Sequence, residues 1–130
     1  MRFSKTTVMA LDALAYIGHD GQERPVPLRR IARSLTASPT YLSKVLQQLA
    51  SAGHIIAVMG PRGGYKMARN PRKISVLEVV ENFEKPATVG GKPISSGSLQ
   101  KARSGTDILG KALLAVRSEL SSLTIADLSG

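Results

Sequence analysis

Residues 60–66 read GPRGGYK, and their two adjacent glycines and two cations could surround the phosphate of a nucleotide. A P-loop requires G-x-x-x-x-G-K-S/T between a buried strand and a helix, because the helix amides and the lysine bind the phosphates together. The segment is instead followed by MARNP, in which the proline and the extended residues argue against a helix. A hairpin tip is the favoured alternative, with Pro61, Gly63 and Gly64 shaping the turn. Arg62 at that tip would then contact a larger polyanion.

The polar residues outside residues 60–66 do not form a catalytic or metal-binding group. The chain has no cysteine, which excludes disulfides, thiolate-bound zinc, iron–sulphur clusters and thiol nucleophiles. Its two histidines, His19 and His54, lie far apart, and we expect them at the surface or at helix ends. The acidic residues are scattered, and no Ser/His/Asp grouping is visible. We therefore predict no enzymatic activity, no resident metal and no cofactor.

A predicted helix that begins at Ser38 carries a second group of polar residues. Ser38 is a suitable N-cap, Pro39 suits the first turn, and the apolar residues that follow recur at helical spacing. If this helix is the second helix of a DNA-binding helix-turn-helix, polar residues near its N-terminus can contact base edges in the major groove. The alternative for each of these residues is that it is simply a polar residue on the helix surface with no contact to DNA, and this alternative is favoured for Gln48. The candidates are Thr40, Ser43 and Lys44 for base contact, Gln47 at the margin, and Tyr41 for packing or for a hydrogen bond to a phosphate.

The net charge of +9 is concentrated in the same part of the chain. Residues 1–73 carry 12 of the 18 Lys and Arg residues but only three of the nine Asp and Glu residues, whereas residues 74–130 are neutral. This segregation indicates that the first part meets a polyanion, because general solubility does not require it. The predicted DNA-binding residues are Arg2, Lys5, Ser38, Pro39, Thr40, Tyr41, Ser43, Lys44, Gln47, Arg62, Gly63 and Gly64.

The elements that position these residues are predicted to be mostly α-helical. A helix at residues 4–18 and a short helix that ends near Leu35 precede the helix from Ser38. Two short helices joined by a tight turn form a helix-turn-helix, and the hairpin formed by residues 54–68 adds a small β wing. A further helix at residues 74–84 completes a predicted winged helix-turn-helix domain over residues 1–84.

The rest of the chain is predicted to be a flexible loop and a dimerisation helix. Residues 85–105 are rich in Gly, Ser, Pro and Lys and have little to bury. From residue 106 onwards, leucines and a valine recur at spacings of 4, 3, 4 and 3, which is typical of a coiled-coil seam. This seam could fold back on the first helix, but a symmetric dimer is favoured. The predicted dimerisation residues are Leu109, Leu113, Val116, Leu120 and Leu123, within a helix and tail at residues 106–130.

The combination of SPTYLSKVLQQL with GPRGGY resembles the Rrf family of bacterial winged-helix repressors, the type that includes IscR, NsrR and CymR. Three further stretches, MRFSKTTVMALDALAYI, PVPLRRIARSL and TDILGKALLAVRSELSSLTIADL, extend the resemblance in order over nearly the whole chain. The resemblance implies a homodimer with crossed C-terminal helices that binds a dyad-symmetric operator. The chain also departs from the family pattern at one place. Sensor members carry three cysteines before the last helix, where this chain has Ser95, Ser96, Ser98 and Ser104.

Residues and resemblance together predict a sequence-specific DNA-binding transcriptional regulator, a homodimeric repressor without an iron–sulphur cluster. Its expected partners are double-stranded DNA, a second copy of itself, and an unknown small-molecule effector or protein. No window approaches the roughly 18 apolar residues of a membrane span, so we expect a cytoplasmic, nucleoid-associated protein. The alternative is a protein-interaction module regulated by a partner enzyme, with DNA binding secondary.

Overall fold

The computed structural model describes residues 3–20, 24–85, 88–89, 92–93 and 104–129. Within these ranges the chain is mostly helical, with two antiparallel strand pairs and a 3-10 turn at Pro71–Lys73. The helices are α1 (Lys5–Asp20), α2 (Leu28–Leu35), α3 (Pro39–Ser51), α4 (Val76–Phe83), α5 (Gly105–Ser122) and α6 (Ile125–Ser129). The strands are β1 (Ile55–Val58), which pairs with β2 (Gly64–Met67), and β3 (Thr88–Val89), which pairs with β4 (Lys92–Pro93).

Helix α1 lies at the centre of the hydrophobic core. Its residues Ala10, Ala13, Leu14 and Ile17 are completely buried, and it contacts α2, α3, α4, α6 and β2. The helix was predicted to end at Gly18, but it continues to Asp20. Gly18 is buried inside the helix, and packing of this last turn outweighs the weak helix propensity of glycine.

Helices α2 and α3 form the predicted helix-turn-helix. The turn is made by Thr36, which adopts a left-handed conformation with φ 51°, and the amide of Ala37 donates to the carbonyl of Ala32 at 2.9 Å. Ser38 is the N-cap of α3, because its side chain accepts from the Tyr41 amide at 3.5 Å, and Pro39 occupies the first turn. The start of α3 that the sequence indicates is therefore confirmed.

The hairpin formed by β1, β2 and the five residues between them is the predicted wing. Ile55 faces Met67, and Val58 faces Gly64 across the antiparallel pair. The Gly63 amide donates to the carbonyl of Gly60 at 2.9 Å and closes the turn. After the wing, α4 begins with a capping box between Ser75 and Glu78.

The C-terminal part differs from the predicted single helix and tail. Helix α5 ends at Ser122, Leu123 is extended, and α6 returns to the core with Ile125 completely buried. The Val76 amide donates to the Leu123 carbonyl at 2.8 Å, and the Ile125 amide donates to the Ile74 carbonyl at 2.9 Å. Leu123 therefore lies outside helix α5, to which the spacing assigned it, because its backbone pairs with the start of α4.

The segment predicted as a flexible loop at residues 85–105 contains the short β3–β4 pair, and α5 begins at Gly105 with Ser104 as its N-cap. Most of its other residues lie outside the described ranges. None of the helices in the described part of the chain has the length and apolar character that a membrane crossing requires.

Candidate nucleic-acid interface

Helix α3 separates an apolar face from a polar one. Leu42, Val45, Leu46 and Leu49 are buried at 2% exposure or less and attach the helix to the core. The predicted contact residues lie on the other face, where Ser43 is half-buried and the others are exposed; these others are Ser38, Pro39, Thr40, Tyr41, Lys44 and Gln47. The apolar face therefore holds α3 against the core along its length, while the polar face is presented to an external partner.

The start of α1 lies beside the start of α3. The hydroxyl groups of Thr6 and Tyr41 are hydrogen-bonded to each other, so the first turns of the two helices meet. Lys5, which precedes Thr6, is exposed and lies at the edge of this junction. Lys5 is thus near the polar face of α3, as its predicted role requires. Arg2, predicted to act with it, lies outside the described residues.

The wing presents one cation at an exposed tip. Pro61 and Arg62 are exposed, and Met59 is 89% exposed. At Gly63, a Cβ atom would lie 2.1 Å from the Val58 carbonyl oxygen, so a side chain there would disrupt the turn. The tip therefore offers the Arg62 guanidinium to a partner, and Gly63 shapes the backbone that carries it.

Gly64 has a structural role beyond the turn that the sequence indicated. It has φ +151°, and a Cβ atom would lie 2.3 Å from the carbonyl oxygen of Val26. The close approach brings β2 next to the residues that precede α2, where Val26 forms an isolated bridge with Tyr65. Prolines on both sides of Val26 favour an extended chain, and they are the signal in the sequence from which this pairing could have been suspected.

Arg69 joins the far end of the wing to α4. Its guanidinium bonds the Glu78 carboxylate at 3.0 Å and the Lys73 carbonyl at 2.8 Å. The backbone amide of Ser75 is the main cause that lowers the pKa of Glu78; burial opposes it, and the neighbouring Arg69 guanidinium lowers the pKa further. These contacts link the end of the wing to α4, and they too were absent from the sequence-based prediction.

His54 lies at the end of α3, but it is not at the surface. Only 3% of it is exposed, its Nε2 atom lies 2.8 Å from Oδ1 of Asn82, and its buried Nδ1 atom makes no hydrogen bond in the described structure. Of the two expected locations, the surface and a helix end, His54 occupies the helix end, and it is buried there. Packing between α3, β1 and α4 accounts for the burial.

Helix α5 carries an incompletely covered apolar face. Ile108 and Leu109 are each 59% exposed, while Leu113, Val116 and Leu120 are half-buried. The helix contacts α4, and Arg117 forms an ion pair with Glu81 at 3.3 Å. One side of α5 is thus attached to the domain, and four of the five predicted dimerisation residues lie on the helix.

Comparison with known proteins identifies the class of this fold. The sequence model of the Rrf2 family, described as an iron-dependent transcriptional regulator, matches residues 3–130. Protein rrf2 of Nitratidesulfovibrio vulgaris is 33% identical over 125 residues, which cover 94% of this chain and 80% of that protein. Curated relatives from Aquifex aeolicus and Rhodopseudomonas palustris are 37% and 36% identical, and the aligned segments span 57% and 53% of their lengths.

Solved structures show the same architecture. CymR of B. subtilis, described as the global cysteine regulator of that bacterium, superposes with a TM-score of 0.83 at 22% identity, covering 99% of this chain and 96% of CymR. IscR of T. potens superposes with a TM-score of 0.76 at 30% identity, covering 98% of this chain and 85% of that one. These matches confirm the winged helix-turn-helix fold with a C-terminal helix.

The residues of this chain do not fit the iron that the family description implies. The sequence contains no cysteine, so it supplies no thiolate for an iron–sulphur cluster. In the described ranges, His, Asp and Glu residues nowhere form a group of three or more that could hold a metal ion. Ser104, in the region where cysteines would lie, caps α5 by accepting from the Asp107 amide at 3.2 Å.

Proposed function

Since this chain belongs to the Rrf2 family of transcriptional regulators, we propose that it is a sequence-specific DNA-binding regulator that acts without an iron–sulphur cluster. One observation carries the proposal. The polar face of α3 is exposed near the N-terminus of the helix, with Lys5 beside it, and the same basic part of the chain holds the exposed Arg62 at the wing tip. Such a set offers base contacts from a helix and phosphate contacts on its flanks.

In this proposal, α3 enters the major groove. Thr40, Ser43 and Lys44 contact base edges there, and Gln47 lies at the edge of the contact. Ser38, Pro39, Lys5, Arg2 and the wing residues 62–64 lie along the sugar–phosphate backbone or in the adjacent minor groove. The phosphate contacts supply most of the affinity, and α3 supplies the sequence preference.

We further propose that the active form is a homodimer that represses transcription by occupying promoters in the cytoplasm. The exposed apolar face of α5 supports a dimer, because Ile108 and Leu109 are more than half exposed in the single chain. A twofold dimer places two copies of α3 about 34 Å apart, one turn of DNA, and therefore reads a dyad-symmetric operator. The signal to which it responds would be a small molecule or a partner protein, since the chain lacks cluster ligands.

Salt dependence of DNA binding tests the proposal directly. The dissociation constant of the protein for duplex DNA is measured by fluorescence anisotropy between about 50 and 200 mM salt, and several phosphate contacts should weaken binding at least about a hundredfold over that range. A flat dependence would contradict the proposal. In that case a pull-down from cell extract, with and without nuclease, would identify a protein partner as the primary ligand.

A further inference from the structure

Glu84, the residue that follows α4, binds the first turn of α1. One carboxylate oxygen, Oε1, accepts a hydrogen bond from the Ser4 amide at 2.7 Å and another from the Thr7 hydroxyl at 2.6 Å. Thr7 is 1% exposed, and its hydroxyl also lies 3.0 Å from the Ser4 hydroxyl. The contact therefore joins residues 80 positions apart at a partly buried junction.

This carboxylate adds to the cap of α1, in which the Ser4 hydroxyl already accepts from the Thr7 amide at 3.2 Å. The first turn of α1 contains no acidic residue. Backbone amides at a helix N-terminus lack intrahelical partners and carry partial positive charge, so an acceptor with negative charge is stabilising there. The Thr7 hydroxyl, followed by the Ser4 amide, lowers the pKa of Glu84. Glu84 thus supplies, from the end of α4, the acidic acceptor that the first turn of α1 lacks.

The same turn of α1 holds the DNA-facing end of α3. Thr6 lies between Lys5 and the anchored Thr7, and its hydroxyl is bonded to the Tyr41 hydroxyl in the first turn of α3. Tyr41 is 39% exposed, so this bond lies at the edge of the surface that would meet DNA. Two consecutive residues of α1 therefore connect Glu84 on one side to Tyr41 on the other.

We propose that Glu84 is a positioning residue for DNA recognition: through Thr7 and Thr6 it fixes where the N-terminus of α3 lies. This inference rests on the proposed DNA-binding function. Glu84 touches neither bases nor phosphates in the proposal. Its effect is to keep Thr6 in place, and with it the Tyr41 side chain next to Thr40, Ser43 and Lys44.

The test compares Glu84→Ala with Glu84→Gln. Both variants lose the same charge, so electrostatic repulsion of DNA changes equally, but the Gln carbonyl can still accept from the Ser4 amide and the Thr7 hydroxyl. The probes are a duplex that the wild-type protein enriches from a random-sequence pool, and an unselected random duplex. Glu81→Ala is the control, because Glu81 lies in the last turn of α4, just before Glu84, and its carboxylate accepts a hydrogen bond from the exposed Arg117.

We expect Glu84→Ala to bind the selected duplex about fivefold more weakly than Glu84→Gln, a typical coupling between contacting residues, and the random duplex equally well. Thr6→Val should weaken selected binding to a similar extent, and Glu84→Ala should have no further effect in a Thr6→Val background. If Glu84 only stabilised the fold, Glu84→Ala would lower the melting temperature, and its effect on DNA binding would add to that of Thr6→Val.

Three results would overturn the inference: equal binding by Glu84→Ala and Glu84→Gln, an effect as small as that of Glu81→Ala, or additive effects of Glu84→Ala and Thr6→Val. In each case the wild-type protein still binds its selected duplex, so the proposed function stands. If the wild-type protein enriches no duplex, the proposed function itself fails, and the inference fails with it.

Discussion

Val26 and Tyr65 exchange two backbone hydrogen bonds, from the Val26 amide to the Tyr65 carbonyl at 2.8 Å and from the Tyr65 amide to the Val26 carbonyl at 2.9 Å. Val26 lies two residues before α2, and Tyr65 lies in β2 of the wing. The wing is therefore attached to the start of the helix-turn-helix as well as to the end of α3. A displacement of either element would disturb the other.

Substitution of Gly64 by alanine tests this attachment. An alanine Cβ would lie 2.3 Å from the Val26 carbonyl oxygen at a backbone conformation that L-residues rarely adopt. We expect Gly64→Ala to lower the free energy of unfolding by about 2–4 kcal/mol in urea denaturation. Gly105→Ala is the control, because a Cβ there meets nothing within 4 Å, and stability should be unchanged or raised by up to about 1 kcal/mol. Equal stability of the two variants would refute the role assigned to Gly64.

Arg62→Ala should weaken DNA binding to a similar extent on all sequences. The side chain is exposed at the wing tip, where a phosphate contact carries no base information. Loss of one such contact should reduce the slope of log affinity against log salt by about 1. Arg117→Ala, a change to a cation on α5 outside the candidate interface, should leave the slope unchanged. A sequence-dependent effect of Arg62→Ala would show that the wing reads bases.

Lys44→Ala should instead change which sequences are preferred. Lys44 is exposed on the polar face of α3, where a cation can bind the acceptor edge of guanine. We expect a loss of about 1–3 kcal/mol on the preferred sequence and a smaller loss on single-position variants of it. Gln48→Ala on the same helix serves as the control and should preserve the preference. Uniform weakening would reassign Lys44 to a phosphate.

Stability should fall in acid because two glutamates have a lowered pKa in the folded protein. The pKa of Glu78 is lowered mainly by the Ser75 amide, and that of Glu84 mainly by the Thr7 hydroxyl. A carboxyl group with a lowered folded-state pKa stabilises the protein at a pH above the ordinary pKa that it has in the unfolded chain, and this contribution is lost as the pH falls through the folded-state pKa.

Urea unfolding of Glu78→Gln should therefore show a flatter decline of stability below about pH 5 than that of the wild-type protein. Glu119→Gln, a change to an exposed glutamate of α5, is the control and should follow the wild-type curve. The interpretation would be wrong if Glu78→Gln and the wild-type protein lost stability in parallel.

The apolar face of α5 should control the oligomeric state. Leu109→Asp places a charge at a position that is 59% exposed in the single chain and so does not disturb the protomer core. Analytical ultracentrifugation should find a dimer for the wild-type protein and a monomer for Leu109→Asp. Lys111→Asp, an exposed position on the same helix, should remain dimeric. A wild-type monomer, or a dimer that survives Leu109→Asp, would contradict the proposed interface.

Local patterns in the sequence were sufficient to predict the fold up to α4. Ser38 and Pro39 mark the start of α3, and the glycines around Pro61 mark the hairpin, because caps and turns depend on nearby residues. The contacts that connect these elements were not predictable in this way. The bonds of Glu84 to Ser4 and Thr7 join distant positions that share no periodicity.

The end of the chain shows the same limit. The spacing of Leu123 continues the α5 seam, yet its carbonyl accepts from the Val76 amide and the helix ends before it. Thr124 starts α6 by donating its amide to the Asp127 carboxylate at 2.8 Å, and burial of Ile125 then returns the chain to α1. The spacing of apolar residues indicates which positions are apolar on one face of a helix. It does not indicate whether those residues pack in a dimer seam or in the core of the protomer.

The most direct test of the central proposal is selection of DNA by the wild-type protein from a pool of random-sequence duplexes, followed by sequencing. We predict enrichment of one dyad-symmetric sequence whose half-site centres lie about 10 base pairs apart, as expected for two copies of α3 in successive major grooves. A pool that shows no enriched sequence after repeated rounds would contradict the proposal that this protein binds DNA sequence-specifically.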